Sequence, residues 1–119
     1  MYKKSVKYIY LLRTFDSDNT ACFKIGYTKN DPKLRIKQLQ TGNKEEIELI
    51  CSFKSNFGTR LEANLKRMYK HYNAKGEWFY LPEDIVKDFL SICEKHEQNL
   101  NMLYNSNSYI QDLNHRLES

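Results

Sequence analysis

The 119 residues suffice for one ordinary domain, and a 40% hydrophobic content with 15 Phe and Tyr and one Trp suffices for one core. No stretch reaches the roughly 18 consecutive apolar residues of a membrane span, and Met1-Tyr2-Lys3-Lys4 leads into no signal-like apolar segment. These features predict a soluble, intracellular protein in a host or bacterial cytoplasm, the nucleus left open, with no membrane partner. Cys22, Cys51 and Cys93 are odd in number, far apart and without C-x-x-C spacing, which argues against a disulfide framework or a zinc knuckle and for reduced thiols. The net charge of +4 is unevenly divided: residues 1–76 hold 16 Lys and Arg against 7 Asp and Glu, and residues 77–119 hold 3 against 8. A basic face of this kind attracts polyanions, because neutralised phosphates release their counterions, but unrelated proteins carry similar faces.

Val6 to Arg13 is rich in β-branched and aromatic residues and predicts a strand, and Cys22 to Thr28 predicts a second. The polar connection Thr14 to Thr20 makes the pair an antiparallel hairpin. Tyr10 then shares a face either with Lys24 and Gly26 or with Phe23, Ile25 and Tyr27, depending on register. Asp31-Pro32 opens a helix, since aspartate accepts from free backbone amides and proline at the first position lacks one; Gly42 ends it. Glu46 to Phe53 predicts a third strand with Ile47, Leu49, Cys51 and Phe53 on one face, and Thr59 to Tyr72 a helix that buries Leu61, Leu65, Met68 and Tyr72. Glu77 to Leu81 reads as a short buried stretch, with Trp78 and Phe79 closing the core rather than stacking on bases. Pro82-Glu83-Asp84 opens a final helix, and from Val86 onward a heptad pairs Val86, Cys93, Leu100, Asn107 and Asn114 with Phe89, His96, Leu103, Ile110 and Leu117. Asn105-Ser106-Asn107-Ser108 favours a break there, giving two helices that fold back on the domain; the alternative is one helix that forms a homodimer through residues 83–119.

Tyr8-Ile9-Tyr10 followed at strand spacing by Lys24-Ile25-Gly26 resembles the paired G-I-Y and Y-I-G tripeptides of the GIY-YIG endonuclease superfamily, with Tyr8 in place of the first glycine and Lys24 in place of the second tyrosine. The run K-I-G-Y-T-x6-R ending at Arg35, then Glu62 and Gly76-Glu77-Trp78-Phe79, is similar to the phage-type branch with K-I-G and G-E-W-F motifs. The resemblance covers roughly Lys7 to Leu81. It implies an α+β fold, a small central antiparallel sheet of about three strands flanked by helices, with a nuclease domain at residues 1–82 and a C-terminal helical extension at 83–119. It implies a metal-dependent endonuclease that hydrolyses phosphodiester bonds in DNA, using Mg2+ or Mn2+.

Carried over residue by residue, the resemblance makes Tyr10 the general base. A phenol is a poor base at neutral pH unless a neighbouring cation stabilises its phenolate, a task for which Lys24 is suited. Arg35 would grip phosphate oxygens in the transition state, and Glu62 would hold a hydrated metal ion. Tyr27 would orient water or touch phosphate. Gly26, Lys29, Lys33, Lys37 and Lys66 would contact nucleic acid, Gly26 by close backbone approach. Apart from the resemblance, Arg35 reads as a partner of Asp31, and Glu62 as the last residue of a Thr59–Glu62 capping box or as a partner of Lys66. The superfamily often places an active-site histidine near the first helix, whereas His71, His96 and His115 all come later. Two further readings therefore stand beside the enzyme: a catalytically weak or inactive nucleic-acid-binding module, and a small interaction protein whose basic face meets an acidic partner. No zinc finger or helix-turn-helix signature is present, so target specificity is not encoded in a recognisable reader.

Overall fold

The computed structural model describes residues 4, 6–42 and 45–118, with side chains as far as residue 106. Strand β1 (Lys7–Phe15) and strand β2 (Ala21–Thr28) form the predicted hairpin. Asp16 closes the turn: its Oδ1 accepts from the amides of Asp18 and Thr20, and Asn19 takes the positive φ that asparagine tolerates. Helix α1 (Pro32–Thr41) starts as its sequence requires, with the Asp31 carboxylate accepting from the Lys33 amide at 3.0 Å. Strand β3 (Glu48–Ser55) pairs with the other side of β1. Helix α2 (Gly58–Met68) passes into a 3-10 turn over Lys70–Tyr72, followed by β4 (Asn73–Lys75) and β5 (Trp78–Phe79). Helices α3 (Glu83–Lys87) and α4 (Phe89–Glu118) complete the chain. The fold is α+β, an antiparallel sheet in the order β3-β1-β2-β5-β4 flanked by helices. Two strands more than the sequence reading expected arise because residues 73–79 fold into a short hairpin on the edge of β2. Among the described residues no helix is long and apolar enough to cross a membrane.

The hairpin register gives the sheet two distinct faces. Ile9, Leu11, Phe23 and Ile25 point toward α2 and α4 and form the main core with Phe57, Leu61, Leu65, Tyr69, Phe79, Leu81, Phe89, Cys93 and Leu100. Tyr10 and Leu12 point the other way, onto Ile47 and the Ile36 and Leu39 side chains of α1. Phe57 and Phe89 have almost no exposed surface, and burying such a side chain is worth about 1.5–3 kcal/mol.

Three local expectations are corrected. A bulge at Ile50 puts Leu49 opposite Leu12 and Cys51 opposite Leu11, so Leu49 belongs to the smaller cluster while Ile50, Cys51 and Phe53 pack on the larger; an extra residue breaks the period-two pattern. In α2 the buried row is Leu61, Leu65 and Tyr69, and Met68 is 37% exposed, because strict i, i+4 spacing selects residue 69. Helix α4 runs through Asn105-Ser106-Asn107-Ser108 without a break; residues of this type cost only about 0.5 kcal/mol each against alanine. The first half of the heptad seam, Phe89, Cys93 and Leu100, lies in the domain's own core. Burial holds the Cys51 thiol up to about 11 and the Cys93 thiol up to about 12, as inert core thiols.

The Thr59–Glu62 capping box is absent, since α2 begins one residue earlier with Phe57 at its N-cap and no side-chain cap. Its entry is held from α4 instead. The Glu97 carboxylate accepts from the Ser55 hydroxyl at 2.6 Å and the Asn56 amide at 2.7 Å, and the buried Ser55 oxygen accepts from the Phe57 amide at 2.9 Å. Glu97→Ala leaves the Ser55 hydroxyl and the Asn56 amide without their acceptor, so denaturant unfolding is expected to show a loss of about 1–3 kcal/mol.

Candidate active site

Strand β5 pairs with β2 only at Phe23 and Lys24, which leaves the edge of β2 uncovered from Ile25 onward. A cleft of about 450 Å3 opens at that point. Residues converge there from both faces of the sheet: Tyr10, Lys24 and the bare backbone of Gly26 from the hairpin, Arg35 and Gln38 from α1, Glu62 and Lys66 from α2, and Glu77 from the β4–β5 turn.

The register resolves the alternative left open by the sequence: Tyr10 stands opposite Gly26 and shares its face with Lys24. Tyr10 is 3% exposed, and the phenol end of its ring lies against the glycine. A Cβ on Gly26 would sit 2.3 Å from the phenol oxygen and 2.4 Å from Cζ. The close approach expected at this glycine is therefore made by the Tyr10 ring, and any other residue at 26 would displace it.

The charges form two internal pairs. Lys24 Nζ lies 2.9 Å from Glu77 Oε2, and Lys66 Nζ lies 3.1 Å from Glu62 Oε1. Lys24 and Glu62 are the better-shielded members, with side chains 18% and 15% exposed. The hydrogen bond and charge of Lys24 hold the Glu77 carboxyl below its ordinary range, with a smaller contribution from Lys66. A depressed carboxyl stabilises the fold at neutral pH, and that contribution is lost as the pH falls through the folded-state value. Partly exposed pairs of this kind are worth only about 0–1 kcal/mol, so an incoming anion can open either one at little cost.

Arg35 is half-buried and leans on Gln38, Nη1 to Oε1 at 3.4 Å, while the Asp31 carboxylate serves the helix N-terminus. Tyr27 borders the cleft, but its register opposite Ile9 turns it to the α2 face, where the Lys7 ammonium lies 4.6 Å from its ring centroid. Lys66 lines the cleft; Lys29, Lys33 and Lys37 are exposed on the neighbouring loop and on α1, outside the lining. His71 packs on Tyr72, and among the described residues no histidine lines the cleft. The sequence alone assigns no role to Gln38 or Glu77. Gln38 is one helical turn beyond Arg35, a spacing that could have revealed it; Glu77 stands in the G-E-W-F motif, but its pairing with Lys24 follows only from the two-residue pairing of β5 with β2.

Among the described residues no three His, Cys, Asp or Glu side chains gather as a metal cage. The cleft's donors are carboxylate oxygens, Glu62 foremost. A single hard donor of this kind fits Mg2+ or Mn2+, which keep most of their water, and does not fit a closed thiolate or imidazole zinc site. Gly26→Ala is expected to cost about 1–3 kcal/mol of stability through overpacking. Combined with Tyr10→Ala, its cost should be strongly non-additive in a denaturation double-mutant cycle, because both changes act on one contact.

A family model described as the T5orf172 domain matches residues 7–94 of the chain. Neither a curated protein nor a solved structure matches it.

Proposed function

We propose a function from two premises: the chain belongs to the T5orf172 domain family, a family linked to nuclease-type proteins, and its open β2 edge gathers a shielded phenol, two lysines, an arginine and two carboxylates in one cleft. The cleft is the active centre of a GIY-YIG-type endonuclease that hydrolyses a phosphodiester bond in DNA with Mg2+ or Mn2+. The observation that carries this reading is the seating of the Tyr10 phenol on Gly26 in a cleft that Lys24 and Arg35 also line, an arrangement that supports Tyr10 as the proton acceptor.

The substrate phosphate enters between Arg35 and the two lysines. Lys24 and Lys66 exchange their carboxylate partners for phosphate oxygens, and Glu62, released from Lys66, would hold the cation. Arg35 presents a planar fork to the non-bridging oxygens, where negative charge accumulates. Tyr10 takes a proton from the attacking water at its phenolate oxygen, with Lys24 stabilising the anion, as the water oxygen bonds to phosphorus; the P–O bond opposite breaks, and the departing sugar oxygen takes a proton from solvent. The bound cation would supply Lewis-acid polarisation of the phosphate. Gln38 is a positioning residue for Arg35. Lys29, Lys33 and Lys37 extend a basic approach along α1 for the flanking backbone.

The second reading, a nucleic-acid-binding module without turnover, rests on one observation: among the described residues the cleft lining has no histidine. Nicking of supercoiled plasmid separates the two. Metal-dependent cutting by the wild type, reduced at least about 100-fold in both Tyr10→Phe and Glu62→Ala, is the expected result. Unchanged DNA affinity in Glu62→Ala with no cutting by the folded wild type would leave the binding module in its place.

Glu77 competes with phosphate for Lys24. Glu77→Gln is expected to tighten binding to a DNA oligonucleotide about two- to tenfold at low salt, with the gain shrinking as ionic strength rises, as fluorescence anisotropy would show.

A further inference from the structure

Beyond Lys24 the Tyr10 face of the sheet continues into a second cavity that the hydrolytic chemistry does not use. Gly26, Lys24 and Cys22 follow one another on this face of β2, opposite Tyr10, Leu12 and Thr14, and Trp78 stands beside Lys24 on β5. Cross-strand partners project side by side, so this row leads from the cleft into a cavity of about 300 Å3 lined by Thr14, Cys22, Ile47, Trp78 and Tyr80.

The segment Trp78-Phe79-Tyr80-Leu81 alternates rather than forming the uniformly buried stretch read from the sequence. Phe79 and Leu81 enter the core, while Trp78 is half-buried and Tyr80 is 47% exposed on the cavity side. Trp78 is thus not part of the core closure. Tyr80 is fixed in orientation: its hydroxyl donates to Asp16 Oδ2 at 2.9 Å, and Asp16 is held in turn by the hairpin turn. Holding an exposed ring in one orientation removes the ordering cost of a contact made through its face. The Thr20 amide and the Tyr80 hydroxyl keep the Asp16 carboxyl below its ordinary range, so it is charged at neutral pH. One end of the face therefore draws phosphate to Lys24 and Arg35, while the other repels phosphate and offers aromatic surface. A polynucleotide strand presents that same alternation of anionic backbone and flat base.

We propose that this cavity is a nucleobase subsite, taking a base unstacked from the strand whose phosphate occupies the cleft, with Trp78 and Tyr80 as its stacking surfaces. The inference rests on the phosphodiester reading of the cleft and adds the substrate class: single-stranded or frayed nucleic acid in preference to intact duplex. Bases inside a duplex are covered on both sides and must leave the stack to reach such a site. Stacking on an aromatic ring is tolerant of base identity.

Trp78 is the single tryptophan of the chain, so its emission reports the cavity directly. The full chain is titrated in EDTA with a fluorescein-labelled single-stranded deoxyoligonucleotide, with an abasic strand of equal length and charge, and with a hairpin duplex, following tryptophan emission and label anisotropy. Saturable quenching by the single strand is expected, with binding of the abasic strand and the duplex about tenfold weaker and without quenching. Tyr80→Ala is expected to weaken single-strand binding about tenfold and to leave abasic-strand binding unchanged. Equal affinity for the abasic strand, or no quenching by the single strand, overturns the proposal on wild-type protein alone, even if Tyr80→Ala does not fold. Because no metal is present, the result is independent of cutting. Plasmid cleavage without quenching removes the subsite and keeps the hydrolysis; quenching without cleavage keeps the subsite and removes the hydrolysis.

Discussion

The seating of the Tyr10 ring on the bare Cα of Gly26 is the contact on which the rest of the site depends. It demands a residue without a side chain at 26 and the register that sets 10 opposite 26, and both are met on one pair of strands. A slip of one residue would turn Ile9 toward α1 and bury Tyr10 among the main-core side chains, because neighbours on a strand point to opposite faces. The turn held by Asp16 guards that register from one end. The pairing of β3 guards it from the other, with the bulge at Ile50 absorbing one residue so that both halves of β1 stay matched.

A second constraint is the abrupt end of β5. Had it paired with all of β2, the backbone edge at Ile25 to Thr28 would be covered, and side chains from α1 and α2, which lie on opposite faces, could not meet. Because the pairing stops at Lys24, Arg35 from one layer and Glu62 from the other reach the same space. The two ion pairs offset four of the five charges that line the cleft, and Arg35, which leans on the neutral Gln38, leaves it one positive charge. Each pair is weak enough to be exchanged, a different task from the buried Ser55–Glu97 network, whose acceptors hold the entry of α2.

What could be read from the sequence was chemistry local to a few residues. Asp31-Pro32 starts α1, Asp16 to Asn19 turns the hairpin, and the order of Tyr10, Lys24, Gly26, Arg35 and Glu62 along the chain marks side chains that the fold brings together. What escaped the reading depends on pairings between distant residues. The bulge at Ile50, the two-residue ladder of β5 and the outward turn of Trp78 and Tyr80 are set by register, which hydrophobic pattern specifies only where one face is buried. The face that Tyr27 takes is set the same way: the register puts it opposite Ile9, at the border of the cleft and against Lys7. Composition places the basic surplus in residues 1–76 but does not show that Lys24 is already paired with Glu77, whereas the i, i+4 spacing of Glu62 and Lys66 does predict the pair found there.

The central claim is that the cation and the phosphate meet at the open edge of β2, and paramagnetic broadening tests it without reference to cutting. Mn2+ is titrated into isotope-labelled wild-type protein and into Glu62→Gln while backbone amide signals are recorded. The account predicts that the Gly26, Tyr27 and Glu62 amides broaden first in the wild type and stay sharp at the same Mn2+ concentration in Glu62→Gln. Broadening centred away from the cleft, or broadening there that is indifferent to Glu62→Gln, would contradict it.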